Sequence, residues 1–197
     1  GEMEIMDGAA NRTILLVEDD LLSARVVRAV LERAGYAVRI VSKGEDALRL
    51  AEAEPDLGLV LMDIDLGPGM DGVAAAAELL RRRELPVLFL SARADAELLG
   101  KLESVGSYGF VPKGSENAVL LASVSMAFSL AEARRREARS AERYRLLFEQ
   151  SPQGAIVAEA DTGRFLQANP AICAMFGYGE QEFLSLGIAD LHPAEPV

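Results

Sequence analysis

The chain has no tryptophan, one histidine and one cysteine, and its 31 acidic residues outnumber 20 basic ones. Each shortage closes off a class of function. A single cysteine, Cys173, excludes an intrachain disulfide and a cysteine zinc cluster, and it fits a reducing compartment. The lone histidine, His192, stands beside Pro193 and reads as a structural loop residue rather than a catalytic one. A formal charge of −11 opposes non-specific binding to nucleic acid or to an anionic membrane face. No apolar run approaches the ~18–20 residues of a membrane span. The opening GEMEIMDGAANR is acidic and polar, unlike a secretory signal. These absences set the expectation of a soluble, cytoplasmic protein with no nucleic-acid partner and no membrane segment in this chain. Half of the 197 residues are hydrophobic, enough for one ordinary domain with a sizeable core and part of a second.

What is present is an alternation. TILLV (13–17), YAVRIV (36–41), LGLVLM (57–62), PVLFL (86–90) and YGFV (108–111) read as five strands separated by amphipathic helices. In the first helix Val27, Val30, Leu31 and Ala34 follow the i, i+3, i+4, i+7 rule, and Gly35 is its expected stop. Ser42-Lys43-Gly44-Glu45 reads as a capping box for the second helix. Strand and helix alternating in this way imply right-handed crossovers and an α/β fold. The expected architecture is a five-stranded parallel doubly wound sheet, with its functional crevice beyond the carboxyl ends of the strands.

The residues at those ends carry chemistry. The first strand ends in Glu18-Asp19-Asp20, the third in Asp63, the fourth in Ser91, and Lys113 lies just past the fifth. Carboxylates converging at one edge repel one another unless a cation sits among them, and Mg²⁺ suits such oxygen donors. That ion would make phosphoryl transfer feasible. Asp63 is the candidate nucleophile, directly at the end of a buried strand. Lys113 would serve one phosphoryl oxygen and the Ser91 hydroxyl another. Each residue also has a plainer reading: Asp19 or Asp20 as cap of the first helix, Ser91 as cap of the fourth, Lys113 as a surface lysine. The conjunction of four strand ends is what favours a site. The stretch LMDIDLGPGMDG, residues 61–72, shares out its aspartates, with Asp71 expected to cap the third helix.

Residues 116–149 contain no glycine or proline and are expected to form one long helix. Ala127, Ala131, Ala138 and Ala141, spaced around Arg134, could form a weak parallel dimer seam. A stripe laid on the first domain explains the same spacing. Beyond Ser151-Pro152, GAIVAEA and GRFLQA read as two strands joined by a turn at Asp161-Thr162-Gly163, followed by short helices broken at Gly177, Gly179 and Gly187.

ILLVEDD, LVLMDIDLGPGMDG, VLFLSA and YGFVPKGS, in that order and spacing, resemble the receiver domain of two-component response regulators and hybrid kinases over residues 12–130. The resemblance implies that Asp63 accepts a phosphoryl group from a partner histidine kinase or phosphotransfer protein. It implies that Glu18 and Asp19 are the acidic pair holding Mg²⁺ or Mn²⁺, with the backbone carbonyl of Asp65 as a further ligand. Ser91 takes the hydroxyl position and Lys113 the lysine position. Phe110 takes the aromatic switch position that, with Ser91, remodels the face of the fourth helix, fifth strand and fifth helix. A homodimer through that face or through the helix of 131–150 is a further expectation. Two departures stand out. The loop after Asp63 is one residue longer than usual, so residues 66–70 should bulge. Gly114 follows the lysine in place of proline, so a trans bond is expected there.

ERYRLLFEQSP, GRFLQANPAICAMFGYGEQEF and DLHP resemble the first half of a PAS sensory domain, placing its incomplete N-terminal part at 151–197. Cys173 precedes Gly-Tyr outside a flavin-adduct motif, so no flavin is expected. With no phosphodonor histidine motif, the chain reads as the N-terminal piece of a longer signalling protein. As a receiver it would phosphorylate and dephosphorylate itself without being a multiple-turnover enzyme. Two alternatives remain at this point. One is a Mg²⁺-dependent phosphohydrolase of the haloacid-dehalogenase type, with Asp63-Ile64-Asp65 as its acidic pair. The other is a non-phosphorylated receiver used for dimerisation or docking.

Overall fold

The structure, a computed structural model, describes residues 12–92 and 96–191. The sequence element on which it is built is LGLVLMD, whose seven residues form β3 (Leu57–Asp63) and are buried throughout. A run apolar on both faces suits only the middle of a sheet covered on both sides. Around it lie β1 (Thr13–Val17), β2 (Ala37–Val41), β4 (Val87–Ser91) and β5 (Phe110–Pro112). All pair in parallel in the order β2-β1-β3-β4-β5. The expected doubly wound sheet is therefore present.

The helices between the strands are α1 (Leu21–Arg33), α2 (Gly44–Ala53), α3 (Gly72–Arg82) and α4 (Ala96–Val105), followed by α5 (Asn117–Glu149). Two core layers result. Leu15, Val17, Val60, Met62, Val87 and Phe89 pack with residues of α2, α3 and α4 on one face. Ile14, Leu16, Leu59, Leu61, Leu88 and Leu90 pack with α1 and α5 on the other. The period-2 alternation along each strand is what divides the side chains between these layers.

Local sequence explains most helix starts. Asp20 caps α1, accepting from the Ser23 amide at 2.7 Å, and Asp71 caps α3 through the Ala74 amide at 2.7 Å. The expected capping box on α2 is absent. Its helix begins at Gly44, leaving Lys43 as an N-cap without a side-chain bond, and Ser42 lies one position too early. Glu45 instead accepts from the Met70 amide at 3.1 Å, in the loop beyond β3. Arg83, which no local pattern marks out, donates to the carbonyls of Ala51 and Glu54 at 2.9 Å each and to that of Pro55. It thereby satisfies the carbonyls at the end of α2 that no intrahelical amide reaches.

The long helix is a single element, and part of its alanine spacing is the stripe laid on the first unit. Ala127 and Ala131 are buried with Leu120 and Val124 in the stripe that lies on the first unit, whereas Ala138 and Ala141 are exposed. Small residues there let the helix approach the sheet closely. The chain divides into two compact units within α5, between Ala133 and Arg134. The second unit holds an antiparallel pair, β6 (Ile156–Ala158) and β7 (Phe165–Ala168), then α6 (Pro170–Phe176), α7 (Glu180–Leu184) and α8 (Ile188–Leu191). Phe165 and Phe183 stack at 5.2 Å in its core. Asn169, fully buried, caps α6 through the Ile172 amide at 3.0 Å and donates to the carbonyls of Phe148 and Gln153. His192 lies outside the described residues. Among those described, no helix is long and apolar enough to cross a membrane.

The tightest backbone approach is at Gly72. A Cβ there would stand 1.9 Å from the Asp63 carbonyl oxygen, so α3 can begin only where no side chain intervenes. Gly72→Ala is expected to destabilise the first unit by about 2–3 kcal/mol, because the obstacle is backbone that cannot rotate away. Denaturant unfolding checks this; a change below about 0.5 kcal/mol, the range of ordinary surface substitutions, would show that the start of α3 can shift.

Candidate functional site

Strand order fixes where the site lies. β1 connects to β2 on one side and the chain then crosses to β3 on the other, so the crevice opens between the tips of β1 and β3. Glu18 directly follows β1 and is anchored by its amide to the Val41 carbonyl at 3.0 Å. Asp63 is the last residue of β3 and Ser91 the last of β4. Lys113 directly follows β5, its amide bonded to the Ser91 carbonyl at 2.7 Å. Main-chain ladders thus carry four chemically distinct side chains to one edge.

Glu18 and Asp63 are each only 1% exposed. Lys113 Nζ donates to Asp63 Oδ2 at 2.7 Å and to Glu18 Oε1 at 3.0 Å, bridging strands at opposite sides of the crevice. It also stands 2.9 Å from Glu18 Oε2, without the geometry of a hydrogen bond, and that buried oxygen accepts none. Asp63 Oδ1 receives the Asp65 amide at 3.3 Å. Burial pushes the Glu18 carboxyl up; the Lys113 hydrogen bond opposes it, the neighbouring Asp63 charge adds to it, and the net direction is upward. For Lys113, burial works to lower the ammonium's pKa, but the bonds to Asp63 and Glu18 outweigh it and hold it above its usual value.

Asp19 completes the acidic set from the exposed side. Glu18, Asp19 and Asp63 each offer a carboxylate oxygen, and these lie within 4.8 Å of one another. Three carboxylates offering hard oxygen donors, in a pocket where Glu18 also has a buried oxygen without a hydrogen bond, fit a small divalent cation. The structure therefore brings together Glu18, Asp19, Asp63, Ser91 and Lys113, with Asp65 beside Asp63. Phe110 sits one step back on β5, half-buried against the core layer that includes Leu102 and Val105 of α4. Asp20 and Asp71 are the helix caps, and Ser91 is the buried last residue of β4. The Lys113–Gly114 bond is trans; among the described residues no peptide bond is cis. The longer loop does not stand away from the domain. Leu66 turns into the core at 3% exposure and Gly72 bonds back to the Ile64 carbonyl at 3.0 Å.

Sequence reading missed Glu45 as a residue of this neighbourhood, having assigned it to a cap. The second unit carries a separate cleft of about 850 Å³, lined by Tyr144, Phe148, Leu166, Cys173 and Tyr178 among others.

A doubly wound sheet with a lysine-bridged acidic pocket at its switch point defines a class of phosphoacceptor-like α/β domains, and comparison with known proteins places the chain within it. The family model described as the response regulator receiver domain matches residues 14–125, and one described as a PAS domain matches 142–196. The chain belongs to the response regulator receiver family, whose general role is phosphorelay in two-component signalling, and it continues into a PAS domain. The transcriptional regulatory protein PdtaR of Mycobacterium tuberculosis is 30% identical over 125 residues, 62% of this chain and 60% of that protein. CseB of Streptomyces coelicolor is 36% identical over 113 residues, 56% of this chain and 47% of that protein. The chain thus spans about half the length of the curated relatives it matches. Among solved structures, the N-terminal domain of a response regulator/sensory box/GGDEF three-domain protein from Carboxydothermus hydrogenoformans is 40% identical with a TM-score of 0.58. That match covers 62% of this chain and 98% of that one. CheY4 of Vibrio cholerae shares the fold, with a TM-score of 0.56 at 23% identity over 60% of this chain and 99% of that one.

The Glu18 geometry has a pH signature. Because its folded pKa lies above the ordinary 4.5, the folded state holds that proton more tightly, and stability falls as pH rises through the interval between the two values. Without added divalent cation, Glu18→Gln is expected to be more stable than the parent at neutral pH, with the gain shrinking as pH falls towards 4.5. Thermal unfolding across that range measures it; a variant less stable at neutral pH would mean the Lys113 bridge outweighs the burial of Glu18.

Proposed function

We propose that residues 12–130 form a phosphoacceptor module in which Asp63 takes a phosphoryl group from a histidine on a partner kinase or phosphotransfer protein. Residues 131–150 then connect it to the N-terminal part of a PAS domain at 151–197. The observation that carries the reading is the Lys113 ammonium bonded to both Asp63 and Glu18 in a pocket whose third acid, Asp19, faces solvent.

In the reaction the nitrogen–phosphorus bond of the donor breaks with its electron pair returning to the histidine, while a carboxylate oxygen of Asp63 bonds to phosphorus. Lys113, hydrogen-bonded to Asp63 Oδ2, can follow the incoming phosphoryl group as a mobile point charge. The Ser91 hydroxyl, from the neighbouring strand tip, would donate to another phosphoryl oxygen. Glu18, Asp19, Asp63 and the Asp65 carbonyl would hold Mg²⁺ or Mn²⁺, which when bound neutralises charge on the phosphoryl oxygens. Water later attacks phosphorus, releasing inorganic phosphate and restoring the carboxylate. The new charge at Asp63 biases Ser91 and Phe110, and through them the face of α4, β5 and α5, from which α5 runs on towards the PAS segment.

The donor must bring its reactive nitrogen into the pocket, so its surface must cover the rim. That rim includes the start of α1, where Leu21, Leu22 and Val26 are 71%, 73% and 63% exposed. Apolar side chains so exposed beside a charged pocket suit a protein donor better than a small molecule.

Incubation with Mg²⁺ and acetyl phosphate is expected to give an acid-stable, hydroxylamine-labile adduct that Asp63→Asn abolishes; an adduct persisting in that variant would overturn the assignment. Leu22→Glu is expected to slow transfer from a phosphorylated histidine kinase by about tenfold, the size of one lost interface contact, while leaving labelling by acetyl phosphate unchanged. Equal transfer rates from the kinase would place the donor's footprint elsewhere.

A further inference from the structure

The loop between β3 and α3 is fixed at points that no single sequence motif connects. Leu66 is buried in the core layer facing α2 and α3. Gly67 lies against the acidic pocket, where a Cβ would stand 3.1 Å from Asp19 Oδ2. Gly69 lies against α2, where a Cβ would stand 3.1 Å from Glu45 Oε1, and the Met70 amide donates to that same oxygen at 3.1 Å. The start of α2 is itself pressed onto the loop: a Cβ on Gly44 would meet the Met70 carbonyl oxygen at 3.1 Å and Ala75 Cβ at 2.9 Å. The loop thus spans from a pocket carboxylate, Asp19, to a carboxylate on α2, Glu45.

Glu45 is not required where it is by its own helix. Asp46 is a second acid in the same first turn and can serve the positive end of the helix dipole. What Glu45 alone supplies is an acceptor for a loop amide 25 residues away in sequence. Charge-assisted bonds of this kind are the stronger ones, so breaking it releases the loop at its outer anchor.

We propose that Glu45 is a positioning residue that clamps residues 66–70 beside the acidic pocket and so sets how long a phosphoryl group survives on Asp63. It touches neither phosphoryl group nor acids; it acts through Met70 and Gly69, and the inference rests on Asp63 being the phosphoacceptor. With the clamp closed, the Gly67 backbone is held against the Asp19 carboxylate at the open side of the pocket, on the path an attacking water must take. With it open, the attacking water reaches phosphorus more readily.

The test compares the parent chain with Glu45→Ala and Glu45→Gln, each labelled with acetyl phosphate and Mg²⁺. Glu45→Ala is expected to shorten the adduct's half-life about fivefold, the scale of one ordinary intramolecular hydrogen bond. Its unfolding midpoint should fall by no more than one hydrogen bond accounts for, and the Met70 amide should exchange hydrogen faster in metal-free protein. Glu45→Gln keeps a side-chain carbonyl as acceptor and is expected to restore most of the lifetime and of the Met70 protection. An unchanged half-life in Glu45→Ala, or faster decay without faster Met70 exchange, overturns the inference while the phosphoacceptor reading stands. A parent chain that forms no adduct overturns that reading and this inference together.

Discussion

The first unit is organised around a single ammonium group placed between two carboxylates that have almost no access to water. Burying Glu18 and Asp63 side by side is electrostatically unfavourable, and Lys113 offsets that cost by bonding to both. The arrangement works only because parallel strands deliver their ends to one edge, with β1 and β3 adjacent at the centre and Lys113 reaching in from beyond β4. The lysine side chain remains 29% exposed while the two acids are 1–2% exposed, so the pocket has one open side, and the cation lies at it. A group that arrives from solvent meets Lys113 and Asp19 first.

Around that pocket the backbone is tightly constrained. The segment LMDIDLGPGMDG first completes a fully buried strand, then folds a loop back on itself, then starts a helix against the carbonyl of its own terminal aspartate. Its three aspartates do three different things: Asp63 enters the pocket, Asp65 supplies an amide to Asp63, and Asp71 caps α3. Charge density that looks redundant along the chain is divided among separate electrostatic tasks in space. Glu45 belongs to the same economy of position, being an acid at a helix start that faces a loop.

Much of this was legible in order of residues. The apolar runs marked the strands to within two residues because a two-sided parallel sheet needs β-branched and aliphatic stretches of that length. Asp20 and Asp71 were legible as caps because a cap contacts amides two or three residues away. The capping box on α2 was misleading for a related reason: Ser42 and Glu45 have the right spacing, but the helix starts one residue after the cap position would require, and a tertiary acceptor role claimed Glu45 instead. Asn169 could have been found from the proline that follows it, a common helix start, although its bonds to Phe148 and Gln153 could not. Arg83 carried no signal, since nothing in an arginine after a helix distinguishes a carbonyl clamp from a solvated side chain.

By itself, then, the order of residues determined the elements, their alternation and the donor atoms at each strand end, because these depend on periodicity and on neighbours a few positions apart. Only the tertiary structure decided that Lys113 bridges Glu18 and Asp63, which lie 95 and 50 positions from it. It alone decided that Ala127 packs in the core layer shared with α1 and that the loop after Asp63 is tied to α2. These contacts are set by sheet register and helix placement, where a shift of one residue would turn each side chain to the opposite face.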